Sequence, residues 1–254
     1  MRSLGLALLV LLLSGCASNG GGSAGTPTEG GSRSQAIAKI HTELAAAYFE
    51  RKQYGVALQE IDIALKAESA YAPAFNVRGL IRTELREDEK ADEDFRRSLQ
   101  LDKRDSSTHN NYGWFLCQRG REKEAIPQFI EAVKNPLYAT PEIAYVNAGS
   151  CAKKIGRLKE AEDYFLRALA RQPHYAEALY GMADLSYTQQ DFAGAKSYFL
   201  RFIKDTPEPS AERLWLAVRI ERQMGDRNSE QSYALQLRKR FPDARETQLL
   251  LKGE

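Results

Sequence analysis

From about Gln35 onward the sequence repeats itself with a period of 34 residues, and this repeat constrains the fold more than any other feature. A small residue recurs once per period, and a second small residue follows it twelve positions later. The first set is Ala45, Gly79, Gly113, Gly149 and Ala183, and the second is Ala57, Ala91, Ala125, Ala161 and Ala195. Segment 135–141 adds two residues to the third period. The chain is predicted to build a stack of similar units.

Each period has the pattern of two packed helices. Small residues let the two helices approach closely, and a large residue four positions after the second small one, such as Phe95, shares its helical face and fills the space between units. Gly120 and Gly156 fall at the turn between helices, where glycine adopts a left-handed conformation at low cost. Pro173 and Pro207 mark the ends of second helices.

This pattern resembles the tetratricopeptide repeat, a 34-residue helix-turn-helix unit. The resemblance implies an all-α, right-handed superhelix of about six repeats, because a single unit cannot bury its apolar face alone. A weaker sixth repeat is expected to act as the C-terminal cap, with a tail over 244–254. The predicted repeats span 38–71, 72–105, 106–139, 142–175, 176–209 and 210–243.

The N-terminus has the organisation of a bacterial lipoprotein signal peptide over 1–15. After Arg2, residues 4–13 form an apolar run, which is too short to cross a bilayer permanently but suits a signal-peptide core. Leu13-Ser14-Gly15-Cys16 follows as a lipobox. The resemblance to bacterial lipoproteins implies a covalent lipid on Cys16 and an acylated new N-terminus. Because Ala17 rather than aspartate follows, the bacterial sorting pattern implies the periplasmic face of the outer membrane of a Gram-negative bacterium.

Residues 16–34 are predicted to be a tether between this lipid and the repeats, because they are rich in glycine and serine and almost devoid of apolar side chains. Cys117 and Cys151 are the two remaining cysteines. The repeat register puts them at different points of neighbouring helices, so we expect small buried thiols, although an oxidising periplasm leaves a disulfide open.

Composition and motifs argue against catalysis. The net charge of +2 gives no reason to expect nucleic acid as a partner. No metalloprotease, nucleophile-elbow or phosphate-loop motif is present, so we predict no enzyme, no metal, no small-molecule substrate and no cofactor besides the lipid. His41 and His109 share the repeat position that holds tryptophan in the consensus, which favours a role in the repeat itself over metal binding. His174 lies in a loop without a neighbouring ligand.

The candidate partner-binding residues lie on the first helices, which line the inner face of the superhelix in this repeat family. Amides and aromatic rings there suit an extended or helical peptide, with amides bonding to its backbone and rings covering its apolar side chains. The predicted groove residues are Thr42, Ala46, Phe49, Asn110, Asn111, Trp114, Gln118, Asn147, Ser150, Lys153, Tyr180, Asp184 and Tyr187.

Two interpretations stay open for four of these residues. Asn111 and Asn147 bond either to a peptide or to their own scaffold, as the equivalent asparagine often does in this repeat family. Trp114 and Phe49 either pack between repeats or contact a partner.

Beyond the repeat, the chain resembles the PilF/PilW family of outer-membrane pilotin lipoproteins. Four stretches carry the resemblance: the lipobox, Asn110-Asn111-Tyr112-Gly113-Trp114-Phe115-Leu116, Asn135-Pro136-Leu137-Tyr138, and Leu214-Trp215-Leu216-Ala217-Val218-Arg219-Ile220 followed by Ser232-Tyr233-Ala234-Leu235-Gln236-Leu237. The resemblance implies a pilotin that binds secretin subunits and promotes their outer-membrane localisation and multimerisation for type IV pilus biogenesis and twitching motility. The alternative is a repeat lipoprotein scaffold of another envelope machine, for outer-membrane protein assembly or peptidoglycan synthesis or hydrolysis. An enzyme using Asp184 or glutamates as acid and base is a remote third hypothesis.

Overall fold

The computed structural model describes residues 29–253, which form thirteen α-helices and no strand. Twelve of them pair consecutively into six antiparallel repeats, and the thirteenth follows the last pair. The helices are α1 (Glu29–Glu50), α2 (Tyr54–Ala67), α3 (Ala72–Glu84), α4 (Asp88–Leu101), α5 (Ser106–Gln118), α6 (Glu122–Lys134), α7 (Pro141–Lys154), α8 (Leu158–Arg171), α9 (Ala176–Thr188), α10 (Phe192–Asp205), α11 (Ala211–Met224), α12 (Arg227–Arg240) and α13 (Arg245–Lys252). The predicted all-α repeat fold is confirmed.

Close contact between the two helices of a repeat depends on the small residues. A Cβ atom added to Gly79 would lie 2.9 Å from the Phe95 ring, and one added to Gly113 would lie 2.8 Å from the Phe129 ring. Both phenylalanines are fully buried. A side chain at either glycine would therefore have to push an aromatic ring out of a densely packed interior.

The turn between the two helices of each repeat contains one residue in the left-handed conformation. Gly120 and Gly156 adopt φ of 74° and 75°, at the turns where the sequence placed them. Other repeats put a side chain in the same conformation, with φ of 60° at Arg86 and 64° at Gln190. Their backbones accept a conformation that costs a residue with a Cβ about 1–2 kcal/mol.

Both ends of the described chain are more helical than the sequence analysis expects. The α1 helix begins at Glu29, within the interval assigned to the tether, and α13 occupies most of the predicted tail. Leu249 and Leu250 of α13 pack against the apolar cluster of the last repeat, and Thr247 donates a hydrogen bond of 2.6 Å to the Phe241 carbonyl. Because α13 covers α11 and α12, it extends the C-terminal cap beyond the sixth repeat.

The two remaining cysteines form a disulfide, so the expectation of free thiols is wrong. Cys117 at the end of α5 pairs with Cys151 in α7, and their Cα atoms lie 6.0 Å apart. A side chain of one helix packs between two residues, one turn apart, of the next helix. Cys117 and Cys151 are two positions apart in the repeat register, and this interlocking of side chains brings their sulfur atoms together.

The signal peptide, Cys16 and most of the predicted tether lie outside residues 29–253. In the part of the chain that the structure describes, no helix is both long and apolar enough to span a membrane.

Candidate partner-binding groove

The first helices of the six repeats form the inner face of the superhelix. Each contacts the first helix of the next repeat, from α1 and α3 through to α9 and α11. In residues 29–253, consecutive second helices do not approach each other in this way. A stack of helix pairs curves toward the side where its helices are closer, so the first helices line the concave side. We call this concave surface the groove.

Asparagine side chains link neighbouring first helices in the N-terminal half of the groove. The Asn111 Nδ2 atom donates to Asn76 Oδ1 at 3.1 Å, and Asn147 Nδ2 donates to Asn110 Oδ1 at 3.0 Å. We call these four residues the amide ladder. Asn110 is itself buried. Asn111 and Asn147 thus bond to the scaffold, which is the second of the two interpretations the sequence left open.

The predicted groove residues of the first repeat are mostly engaged within it. Thr42 is buried and donates a hydrogen bond of 2.7 Å to the Ala38 carbonyl, so its hydroxyl is engaged within its own helix. A short hydroxyl on a helix competes for the backbone carbonyl one turn earlier, which explains this bond. Phe49 is half-buried and packs against Tyr54, with ring centroids 6.0 Å apart. Ala46 is half-buried.

Trp114 and Gln118 of α5 line a polar hollow of about 420 Å³ together with Thr83, Arg86 and Arg119. Trp114 is half-buried and packs against the central apolar cluster, while Gln118 is exposed. Trp114 therefore packs between repeats and also presents part of its ring to the hollow.

Four predicted residues come together in one cavity of the C-terminal half. Ser150 and Lys153 of α7 and Tyr180 and Asp184 of α9 line a cavity of about 650 Å³, which we call the C-terminal pocket. This volume is in the range of ligand-binding cavities. Phe165 of α8 contributes to its lining from below the first helices, together with Val146, Gly181, Glu177 and Glu212.

Charged groups of the C-terminal pocket are arranged in pairs. Lys153 forms an ion pair with Asp184, and Glu177 accepts a hydrogen bond of 2.6 Å from Arg213. The Arg213 guanidinium also lies over the Tyr180 ring, 5.1 Å from its centroid. Burial raises the pKa of the Tyr180 hydroxyl above its usual value, and the negative charge of Glu212 adds to the rise. Tyr180 therefore stays protonated and can donate to Glu212.

Tyr187 lies outside the lining of this pocket. Its ring packs against Phe192 with centroids 5.5 Å apart, and the Arg219 guanidinium lies over it at 4.7 Å. Its position one turn beyond Asp184 on α9 makes it part of the same helix face but places it against α10 and α11.

Sequence reasoning missed the residues that give the C-terminal pocket its apolar lining. The repeat register contains the signal that would have found two of them. Gly181 occupies the repeat position of Asn111 and Asn147, and Val146 occupies that of Asn110. The change from asparagine to glycine and valine marks where the amide ladder ends.

The histidines connect the helices of their own repeats. His41 bonds to Glu60 at 2.6 Å, and His109 bonds to Gln128 at 2.7 Å, with the same separation of 19 residues. His174 is exposed and lies 3.4 Å from Asp205. Among the described residues, no three His, Cys, Asp or Glu side chains are grouped to hold a metal ion.

Known proteins share this repeat architecture. A family model described as tetratricopeptide repeat matches residues 146–210. The crystal structure of PilW, described as a widely conserved type IV pilus biogenesis factor, is 33% identical with a TM-score of 0.79, and the match covers 85% of this chain and 98% of PilW. The chain belongs to the PilF/PilW family.

The sequence similarity to the Pseudomonas aeruginosa member of the family extends over nearly the full length of that protein. The protein named type IV pilus assembly protein PilF is 27% identical over 241 residues, covering 95% of this chain and 94% of PilF. A solved structure of P. aeruginosa PilF has a TM-score of 0.79 at 26% identity, covering 87% of this chain and 100% of that one. Members of the PilF/PilW family share a repeat scaffold, and such curved scaffolds present concave surfaces for binding.

Proposed function

We propose that this PilF/PilW family member is a pilotin, a lipid-anchored protein that binds secretin subunits and promotes their assembly in the outer membrane for type IV pilus biogenesis. The observation that carries the proposal is the full-length match to PilF and PilW, whose names place those two proteins in type IV pilus assembly and biogenesis. The groove of first helices supplies a surface on which a client segment can bind.

The lipid and the groove have complementary roles in this proposal. A lipid on Cys16 holds the protein at the periplasmic face of the outer membrane, because several acyl chains bind a bilayer far more firmly than one. The glycine- and serine-rich sequence between Cys16 and the repeats is predicted to let the groove reach nearby clients. Membrane attachment and client binding together raise the local concentration of secretin where it must assemble.

Genetic complementation tests the client. A strain lacking the gene is expected to leave secretin as monomers in the wrong membrane and to lose twitching motility, and the wild-type gene is expected to restore both. The measurement is the heat-stable secretin multimer in the separated outer membrane. Normal multimers in the deletion strain would overturn the pilotin role and favour a scaffold of another envelope machine.

Two variants test the membrane anchor separately. Cys16→Ala is expected to leave a soluble or unprocessed protein, and Ala17→Asp is expected to shift the protein to the inner membrane. Membrane fractionation reads out both. Either variant remaining in the outer membrane would contradict the lipid-sorting part of the proposal while leaving secretin binding to be judged by the deletion strain.

A further inference from the structure

The amide ladder stops in the middle of the groove, and the C-terminal pocket begins where it stops. The contacts of repeat 2 with repeat 3 and of repeat 3 with repeat 4 are each bridged by two asparagines. At the contact of repeat 4 with repeat 5, the same two positions hold Val146 and Gly181. An aliphatic residue facing a residue without a side chain cannot make the bridge, so the space between α7 and α9 stays open.

Beneath the opened space, the Phe165 ring lies between two glycines and is only 1% exposed. A Cβ atom added to Gly149 would lie 2.8 Å from the Phe165 ring, and one added to Gly181 would lie 2.5 Å from it. In repeats 2 and 3 the corresponding rings, Phe95 and Phe129, have a glycine only on the side of their own first helix. The second glycine therefore lets α9 pack directly onto the Phe165 ring, and the half-buried Val146 and Tyr180 side chains supply the apolar floor of the pocket.

The rim of the C-terminal pocket has one carboxylate without a cationic partner. Lys153 is paired with Asp184, and Lys154 lies 2.8 Å from Glu122. Glu177 is paired with Arg213. Among the residues that the structure describes, Glu212 forms no ion pair with a lysine or arginine; it accepts a hydrogen bond from the Tyr180 hydroxyl and is exposed. A ligand that brings a cation to this mouth would complete the charge pairing.

We infer that the C-terminal pocket is the site that binds a client peptide, taking one leucine- to phenylalanine-sized side chain against Val146 and the Tyr180 ring while a lysine or arginine of the same peptide meets Glu212. The inference deepens the proposed function and rests on it for the source of the peptide, a secretin subunit. The apolar floor provides the free energy of binding, and the rim carboxylate selects basic over acidic segments.

Model peptides test this chemistry without any secretin. The probes are three capped ten-residue peptides in a Gly/Ser background, one with Leu and Lys two positions apart, one with Leu→Ala and one with Lys→Glu. They are titrated into the full mature chain carrying Cys16→Ser, with amide chemical shifts as the readout. The Leu/Lys peptide is expected to shift the Gly181 and Ser150 signals with a saturable curve. Removing the leucine should weaken binding about ten-fold or more, and reversing the charge about two- to five-fold.

Matched variants locate the site. Ser150→Trp places a bulky ring at the mouth of the C-terminal pocket and is expected to abolish the shifts, whereas Ala170→Trp adds the same bulk to an exposed position of α8 outside the pocket lining and should leave them unchanged. Glu212→Gln should remove the preference for Lys over Glu, and Glu208→Gln, an exposed carboxylate nearby, should keep it. Equal affinities for the three peptides, absence of any shift, or full binding by Ser150→Trp would overturn the inference.

Capture of the purified periplasmic part of the cognate secretin separates this inference from the proposed function. Loss of capture by Ser150→Trp but not by Ala170→Trp supports both. Full capture by Ser150→Trp overturns the pocket as the client site and leaves the pilotin role intact. No capture by the wild-type protein, with model peptides still bound, overturns the secretin as client and leaves the chemistry of the pocket intact.

Discussion

At two successive contacts in the N-terminal half of the groove, asparagine pairs tie neighbouring first helices together, whereas at the next contact the same helix positions hold Val146 and Gly181 and enclose a cavity. The backbone arrangement of the two halves is the same repeat. The difference lies in side chains at two positions per repeat. It teaches that a repeat scaffold can use one position either to hold its own helices together or to leave space for a ligand.

The second repeat contains a buried polar link at a position that is aromatic in the fifth repeat. Asp94 in α4 is buried and accepts hydrogen bonds from Arg78 and Arg82 of α3, each with a shortest distance of 2.8 Å. In the fifth repeat, Tyr198 stands at the position of Asp94, and the neighbouring Phe199 and Phe202 rings pack with centroids 5.6 Å apart. Polar links are specific but costly to break, while aromatic packing leaves the groove surface apolar.

The largest effect is expected from the disulfide, which joins α5 to α7 at the same contact as the Asn110–Asn147 hydrogen bond of the amide ladder. Replacing both Cys117 and Cys151 with serine should lower the free energy of unfolding by about 3–4 kcal/mol, because the bridge closes a loop of 34 residues and restricts the unfolded chain. Urea unfolding followed by circular dichroism measures the change. In a repeat stack, weakening one interface separates the units on either side, so the transition should also broaden.

A reductant provides the control for this prediction. It should shift the unfolding midpoint of the wild-type protein to that of the double serine variant and leave the variant unchanged. Equal midpoints for the wild-type protein with and without reductant would show that the third and fourth repeats are held together without the bridge.

The next largest effect is expected for Asp94→Ala, which tests whether the N-terminal half depends on polar links. Removing the carboxylate leaves Arg78 and Arg82 partly buried and without their partner, which should cost about 3 kcal/mol. Asp163→Ala is the control, because Asp163 pairs with Arg167 on the exposed face of a single helix and should cost less than about 0.5 kcal/mol. Similar losses for the two variants in urea unfolding would argue against a special role for the buried carboxylate.

Asn147→Ala tests the amide ladder directly. The change removes the donor to Asn110 Oδ1 and leaves a buried acceptor unsatisfied, which should cost about 1–2 kcal/mol. Gln118→Ala, at an exposed residue of the same groove, should cost less than about 0.5 kcal/mol. Below the unfolding temperature both variants should bind a client as well as wild type. A large loss of client binding by Asn147→Ala with unchanged stability would make Asn147 a partner contact after all.

Much of the fold follows from the period, because each repeat needs the same small and large residues at the same places. The pairing of Gly113 with Phe129 follows from the repeat register, and so do the turns at Gly120 and Gly156. The disulfide does not, since its formation depends on how neighbouring first helices interlock, which the register alone does not give. The helix α13 was missed because its sequence lies beyond the last recognisable repeat.

The groove residues were harder to predict than the fold. First-helix positions were correctly chosen as the concave face, but sequence alone does not tell which side chains bond inward. Asn110 and Thr42 are buried, whereas Ser150 is exposed. Phe165 belongs to a second helix and occupies the repeat position of Phe95, where the sequence predicts a core residue. It lines the pocket because Gly181 lacks a side chain, a relation between two repeats that the pattern within one repeat does not show.

The smallest effect is expected at the turns, and it tests whether the two halves differ only in their groove. Arg86 in the N-terminal half and Gln190 in the C-terminal half share the left-handed conformation that glycine adopts at Gly156. Arg86→Gly and Gln190→Gly should each stabilise the protein by about 0.5–1 kcal/mol, because relief of the strained backbone exceeds the added entropy of the unfolded chain. Gly156→Ala, the reverse change, should cost about 1 kcal/mol.

Equal gains at Arg86 and Gln190 in urea unfolding would mean that both halves share one backbone and differ in side chains alone. A gain in only one half would mean that the repeats carry different backbone strain, and the contrast between the amide ladder and the C-terminal pocket would then extend beyond the groove.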